Sequence, residues 1–402
     1  MKDSPDHGSA VRSHDPVIGV QEFETRTKRV RSALQAKGLE VGVAYAVPSS
    51  PGDVQYLTGY DPHIESAALL VLPNHVIALG GAEGRHVFED SAVYGEWRDL
   101  IDFVIPYQDY GDVKFWTLRE IFLDCLGRAP ARIGLLSDDN LVPAGFLGRV
   151  RDAVSPGPCE FEPMSDTLLS LRYDKSTAEM TLYREASRIA ASAMAAMIEA
   201  VRPGTRELEV AAVGDYTVKS LGAYNSGFDA IVCSGPRINT VIGRATNRVI
   251  ADGDMVMLGV APRYQGYTCA SGRTVVAGKV RPVQSDILRH AAHAMQLAAS
   301  ELRAGNAARN VDLVPRQYLS KHGLAEFQMY GVGHGIGLTE CNEWKTATAV
   351  SDYVLPKGIC MQLDIGLFNH PEIGGLRLEE PYLISHDGVT EQLTGLPLVT
   401  AQ

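Results

Sequence analysis

At 402 residues, with 45% hydrophobic and 21% charged residues, the chain is long enough to bury two cores and has the composition of a globular protein. Its net charge of −11 excludes the basic surface that nucleic acid or an anionic membrane requires, and no apolar run approaches the roughly 20 residues that span a bilayer. The six cysteines are scattered without a CxxC pair, which excludes a disulfide framework or zinc knuckle and points to reduced thiols in a cytoplasm.

Residues 1–16 are polar, lack the apolar core of a secretory signal and read as a flexible arm. Phe23, Val30 and Leu34 predict a helix over 17–37, stopped by Lys37 and Gly38. Strand-like runs follow at 41–45, 54–60, 66–72 and 76–79, two of them continuously apolar as in strands covered on both faces. A helix at 115–126 and a strand at 131–136 complete an α/β domain over 1–165. From 166 the texture changes. Tyr183, Ala186, Ile189, Ala190, Ala193, Met194, Met197 and Val201 form the core stripe of a long helix ended by Pro203 and Gly204. Helices at 207–221, at 283–302 and from about 311 alternate with strands at 230–234, 255–260, 274–276, 327–333, 360–368 and 376–384. This order predicts an α+β domain over 166–402, a curved and mainly antiparallel sheet covered by helices.

Chemistry concentrates at 331–343, GVGHGIGLTECNE, where glycines at 331, 333, 335 and 337 suggest positive φ and close backbone approach around His334. The plain reading is a tight turn with an incidental histidine. Two acids on nearby strands, Asp364 and Glu379, argue for more. A histidine with two carboxylates makes a metal triad or a metal-free acid/base pair, against the plainer alternative of a buried ion-paired histidine. Strand alternation puts Arg377 and Glu379 on one face and Leu378 and Glu380 on the other, so only one of the two glutamates enters the site.

Several segments together resemble one fold family: KSTAE at 175–179, RPGT at 202–205, FDAIVCSG at 228–235, ADGD at 251–254, Gly266 and Tyr267 through Arg273 and Thr274, and GHGIG at 333–337. The family is the pita-bread superfamily of methionine aminopeptidase, aminopeptidase P, prolidase and creatinase. The resemblance runs over about 166–398. The earlier half is similar to the smaller creatinase-type N-terminal domain, best at YLTGY, 56–60. The family's metallopeptidases hold two metal ions with two aspartates, a histidine and two glutamates. Carried over by motif, the aspartates fall on Gly259 and Ala270, the histidine on His334, and the glutamates on Asp364 and Glu379. Two further family histidines fall on Ile242 and Cys341.

Loss of both aspartates resembles the creatinase branch. It implies a metal-independent hydrolase of an amidine, guanidino, cyclic amidine or amide C–N bond in a small metabolite, with no cofactor. His334, Asp364 and Glu379 are then the catalytic candidates, and Tyr264, Tyr267, Arg273, Cys341 and Arg377 the substrate-binding ones. His63 and Glu65 join them if, as the resemblance implies, the N-terminal domain of a homodimer mate closes the site. The alternatives are a mononuclear metallohydrolase or Xaa-Pro peptidase-like enzyme with the metal on His334, Asp364 and Glu379, and a non-catalytic ligand- or peptide-binding protein. A Cys341 nucleophile is a fourth reading, without a third residue to orient it.

Overall fold

The computed structural model describes residues 17–103, 111, 113–341 and 343–399, and its strands gather into two large sheets and one small one. The arm at 1–16 lies outside the described residues. The first large sheet has six strands in the order Glu96–Asp99, Val76–Gly80, Ala67–Val71, Val41–Ala46, Arg132–Leu135 and Glu160–Pro163. Pairing is antiparallel at its centre and parallel at both flanks. Every residue of Val41–Ala46 is buried, as its unbroken apolar run requires.

The run at 54–60 is not a strand. It lies in the helix Gly52–Thr58, closed by Gly59 at φ 80, whose N–H bonds the Gln55 carbonyl. A short apolar run reads alike for buried strand and buried helix, and the left-handed glycine decides. The helix expected from 115 begins at Leu118, because Thr117 and Glu120 form a reciprocal capping box there. Helices Ala82–Ser91, Ala144–Val154 and Ser165–Tyr173 escape the sequence reading.

The second large sheet has eight strands, antiparallel in every pairing. Its order is Thr346–Ala347, Gly333–Gly335, Ile359–His370, Gly374–Ile384, Ser271–Val276, Met255–Val260 and Ile231–Ser234, with Thr390–Gln392 added beside Gly374–Ile384. Of the strand expected over 327–333, only Gly333–Gly335 forms, while Ala325–Phe327 is a 3-10 turn. Helix Thr177–Ala200 starts at a Ser176–Glu179 capping box and buries the stripe from Met180 to Met197 against the sheet. Helices Glu207–Ser220 and Pro282–Glu301 also pack on the sheet. Among the described residues no helix is long and apolar enough to cross a membrane.

Candidate active site

The two longest strands, Ile359–His370 and Gly374–Ile384, place Asp364 directly opposite Glu379, and Gly272 of the next strand lies on the other side of Glu379. Gly272 is required there, because a Cβ would come within 2.7 Å of the Glu379 Cβ. Arg377 and Glu379 share one face. Glu380 points to the other, where Arg273 pairs with it and donates to the carbonyls of Gly272, Glu379 and Pro397.

Asp364 is fully engaged. Its Oδ2 accepts from Arg377 Nε at 2.8 Å and its Oδ1 from the Tyr330 hydroxyl at 3.0 Å. Arg377 also brings Nη2 to 2.9 Å from Glu379 Oε1, but this ion-pair contact lacks hydrogen-bond alignment. Both Glu379 oxygens are therefore buried with no donor. Burial pushes the Glu379 carboxyl well above the usual range; Arg377 pulls it back, and Asp364 and Glu340 push it further. Arg377 supplies one cation beside Oε1, and the oxygens without hydrogen bonds leave acceptor capacity for a further cation.

His334 lies on the strand Gly333–Gly335, between Thr346–Ala347 and Ile359–His370. The glycines around it do not adopt positive φ. They are needed for close approach: a Cβ at Gly335 would lie 2.3 Å from the Glu343 carbonyl oxygen, and one at Gly337 would lie 2.5 Å from the Glu343 carboxyl group. The His334 ring places Nδ1 3.1 Å from the Gly335 carbonyl, so an Nδ1–H donated there leaves the Nε2 lone pair free. The chain then turns, and Glu340 comes back toward the histidine. Ligand atoms of His334, Glu340 and Glu379 all lie within 4.8 Å of one another.

Glu340 was missed by sequence reasoning. It lies in a turn with no periodicity, and its one signal is an acid six residues after His334 in a glycine-rich stretch. Glu343 was missed too. Its buried carboxylate pairs with Arg172, accepts from Thr339 at 2.7 Å and lies 3.5 Å from Lys175, while Arg172 reaches Asp53 of the first helical turn after Pro51 at 2.6 Å. This network ties the turn that carries Glu340 to both halves of the chain.

The other expected residues sit elsewhere. Tyr267 belongs to a buried network with Arg26 and Glu179, at 3.2 and 3.1 Å. Tyr264 is packed in the hydrophobic core. Arg273 serves Glu380 on the opposite face, and Cys341 is exposed. His63 lines a separate cavity of about 920 Å³ with Phe23, Gln55 and Tyr224. Glu65 sits against Gly81 and Gly84 at the start of helix Ala82–Ser91, where the helix dipole favours an anion. Tyr267, His63 and Glu65 make these contacts away from the cluster of His334, Glu340 and Glu379, and Arg273 meets it at the Glu379 carbonyl oxygen. Of the substrate-binding candidates only Arg377 faces the cleft, a cavity of about 540 Å³ that it lines with Glu340, Arg263, Phe228, Ile231 and Ile242.

Residues 181–386 match metallopeptidase family M24. The chain belongs to this family. It is 30% identical over 275 residues to the Xaa-Pro dipeptidase of Pyrococcus horikoshii, covering 68% of this chain and 76% of that protein. It is 27% identical over 355 residues to the Xaa-Pro dipeptidase of Lactobacillus helveticus, covering 85% and 90%. The crystal structure of the prolidase from Pyrococcus horikoshii superposes with a TM-score of 0.80 at 23% identity, over 93% of this chain and 100% of that one, and shows the shared pita-bread fold.

Membership of family M24, a family of hydrolases, corrects two expectations. The metal-independent, creatinase-like reading is overturned, because the relatives are named Xaa-Pro dipeptidases and the family is one of metallopeptidases. The expected restriction to C–N bonds other than peptide bonds falls with it. The geometry groups Glu340 with His334 and Glu379, while each Asp364 oxygen accepts a hydrogen bond, from Arg377 and from Tyr330.

The site fits one divalent cation and not two. Gly259 and Ala270 bring no carboxylate, and the space beside Gly259 is closed by Ile231, whose Cβ would lie 3.2 Å from an added Cβ. Three carboxylates (Asp364, Glu379 and Glu340) stand against two guanidiniums (Arg377 and Arg263) in the same cleft, which leaves an excess of negative charge for a cation. One imidazole with two carboxylates is an ordinary donor set for zinc or manganese.

Proposed function

We propose that this protein is a dipeptidase that hydrolyses the peptide bond of small Xaa-Pro-type substrates, with one divalent ion held by His334, Glu340 and Glu379. The observation that carries the reading is the convergence of one ligand atom each from His334, Glu340 and the buried Glu379, whose oxygens accept no hydrogen bond, within 4.8 Å of one another. His334, Glu340 and Glu379 would hold the ion, whose chemistry there would be Lewis-acid polarisation of a carbonyl and a lowered pKa for a water. The chain's own residues do the positioning. The Gly335 carbonyl fixes the His334 ring, and Gly272 leaves room for the Glu379 side chain. Asp364, gripped by Tyr330, holds the Arg377 guanidinium at the base of the site. Asp364 is thus a positioning residue. Phe228, Ile231 and Ile242 give the cleft an apolar wall that suits a proline ring and sheds water from the reacting bond.

The test is hydrolysis of alanyl-proline after loading with manganese or zinc. The expected result is turnover that chelation abolishes and metal restores. Turnover indifferent to chelation, or none with any metal and any Xaa-Pro dipeptide, contradicts the reading.

A further inference from the structure

The loop that carries Ile242 is held by a strained turn. The Ile242 N–H donates to the Thr240 carbonyl at 2.6 Å, with Val241 between them at φ 61 and ψ −60. This is a γ-turn of the rare, strained hand. Among the described residues four non-glycine positions have positive φ, Val241, Gln265, Trp344 and Asn369. Val241 alone of these is β-branched, the side-chain shape that tolerates this conformation least. The turn is pinned on both sides. The Cys233 sulfur lies 3.2 Å from the Thr240 hydroxyl and donates to the Gly243 carbonyl at 3.1 Å, and the Thr240 hydroxyl donates to the Arg237 carbonyl at 2.8 Å. Val241 packs inward against the core of the eight-stranded sheet. The next residue, Ile242, is turned out: it is 74% exposed and lines the cleft with Phe228, Ile231 and Glu340. Backbone strain persists only where the surroundings over-determine it, and it collects at ligand clamps.

We infer that Ile242 is the residue that selects a proline ring over a smaller side chain, and that Val241 is the positioning residue that projects it into the cleft. This rests on the dipeptidase reading of the same cleft. Ile231 is buried whether or not the cleft is filled, so it gains little when a substrate arrives. Ile242 stands in water until an apolar group covers it, so the gain from burial falls on that residue. A proline ring is broad enough to cover it. The methyl group of alanine leaves most of it wet.

The probes are alanyl-proline and alanyl-alanine, compared by kcat/KM on the manganese-loaded enzyme and by calorimetric affinity. Ile242→Ala should cut the preference for proline about tenfold, mainly through KM, the scale of a lost apolar contact. Its melting temperature should stay that of wild type, because the side chain is exposed. Ile242→Leu should recover most of the preference. The strain is read at Val241 by two substitutions that remove the same packing. On ordinary backbone a glycine variant melts below an alanine variant; at this positive φ, Val241→Gly should melt above Val241→Ala and lose part of the proline preference. If wild type hydrolyses neither probe but binds alanyl-proline more tightly through Ile242, the dipeptidase reading fails and this inference stands. If wild type shows no preference in turnover or binding, if Ile242→Ala leaves the preference intact, or if Val241→Gly melts below Val241→Ala, the inference is overturned.

Discussion

Glu379→Gln lowers kcat/KM on alanyl-proline by about a hundred- to several-thousandfold, the scale of several kcal/mol that a lost metal ligand removes from transition-state stabilisation. Glutamine keeps the shape of a side chain that is fully buried and packed over Gly272. It also removes a carboxyl that burial pushes well above the usual range, with Asp364 and Glu340 adding to the push against Arg377. The fold without metal is therefore expected to melt no lower than wild type. The diagnostic is the response to manganese. Binding to the native state alone raises the melting temperature by mass action, so wild type should gain stability on addition of the ion and the variant should gain little. A variant that keeps both its turnover and its metal-induced shift would show that Glu379 is not a ligand.

Glu343→Gln has the largest expected effect on stability. Burial acts to raise the Glu343 carboxyl, but Arg172 and Lys175 outweigh it and, with the hydrogen bond from Thr339, hold it down at about 2. Removing one partner of a buried ion pair costs roughly 3–5 kcal/mol, because the other is left charged and uncompensated. Here Lys175 loses its acid partner and Arg172 retains only Asp53. The pH dependence follows from a folded pKa below the ordinary 4.5. The stabilisation is fully present above about 4.5 and is lost as pH falls toward about 2. The gap between wild type and variant in denaturant midpoint should be widest at neutral pH and close across that acid window. A constant gap down to pH about 2 would show that Glu343 stabilises by shape rather than charge. Because the Glu343 carboxylate is packed against Gly337, the variant should also bind manganese more weakly by loosening the Glu340 turn.

Much of the fold was legible where one local signal dominated. The alanine and methionine stripe announces helix Thr177–Ala200, and strand alternation separates Glu379 from Glu380, which the structure puts on opposite faces. The run at 54–60 was misread because seven apolar-rich residues carry no period that distinguishes strand from helix, and Gly59 was the deciding residue. The site was less legible, for a different reason. That Asp364 is consumed by Arg377 and Tyr330 depends on a cross-strand register and on a residue 34 positions away in sequence. Glu340 reaches His334 only because Glu343, Arg172 and Asp53 fold the turn back, and no spacing rule encodes that closure. The aspartate positions read as empty in sequence, but emptiness there says nothing about a carboxylate supplied from another segment.

Metal stoichiometry tests the central claim most directly. After dialysis against manganese and removal of the free ion, elemental analysis of wild type should give about one ion per chain, with Glu340→Gln and Glu379→Gln each falling well below that. About two ions per chain, or undiminished binding in Glu340→Gln, would contradict a single-ion centre built on His334, Glu340 and Glu379.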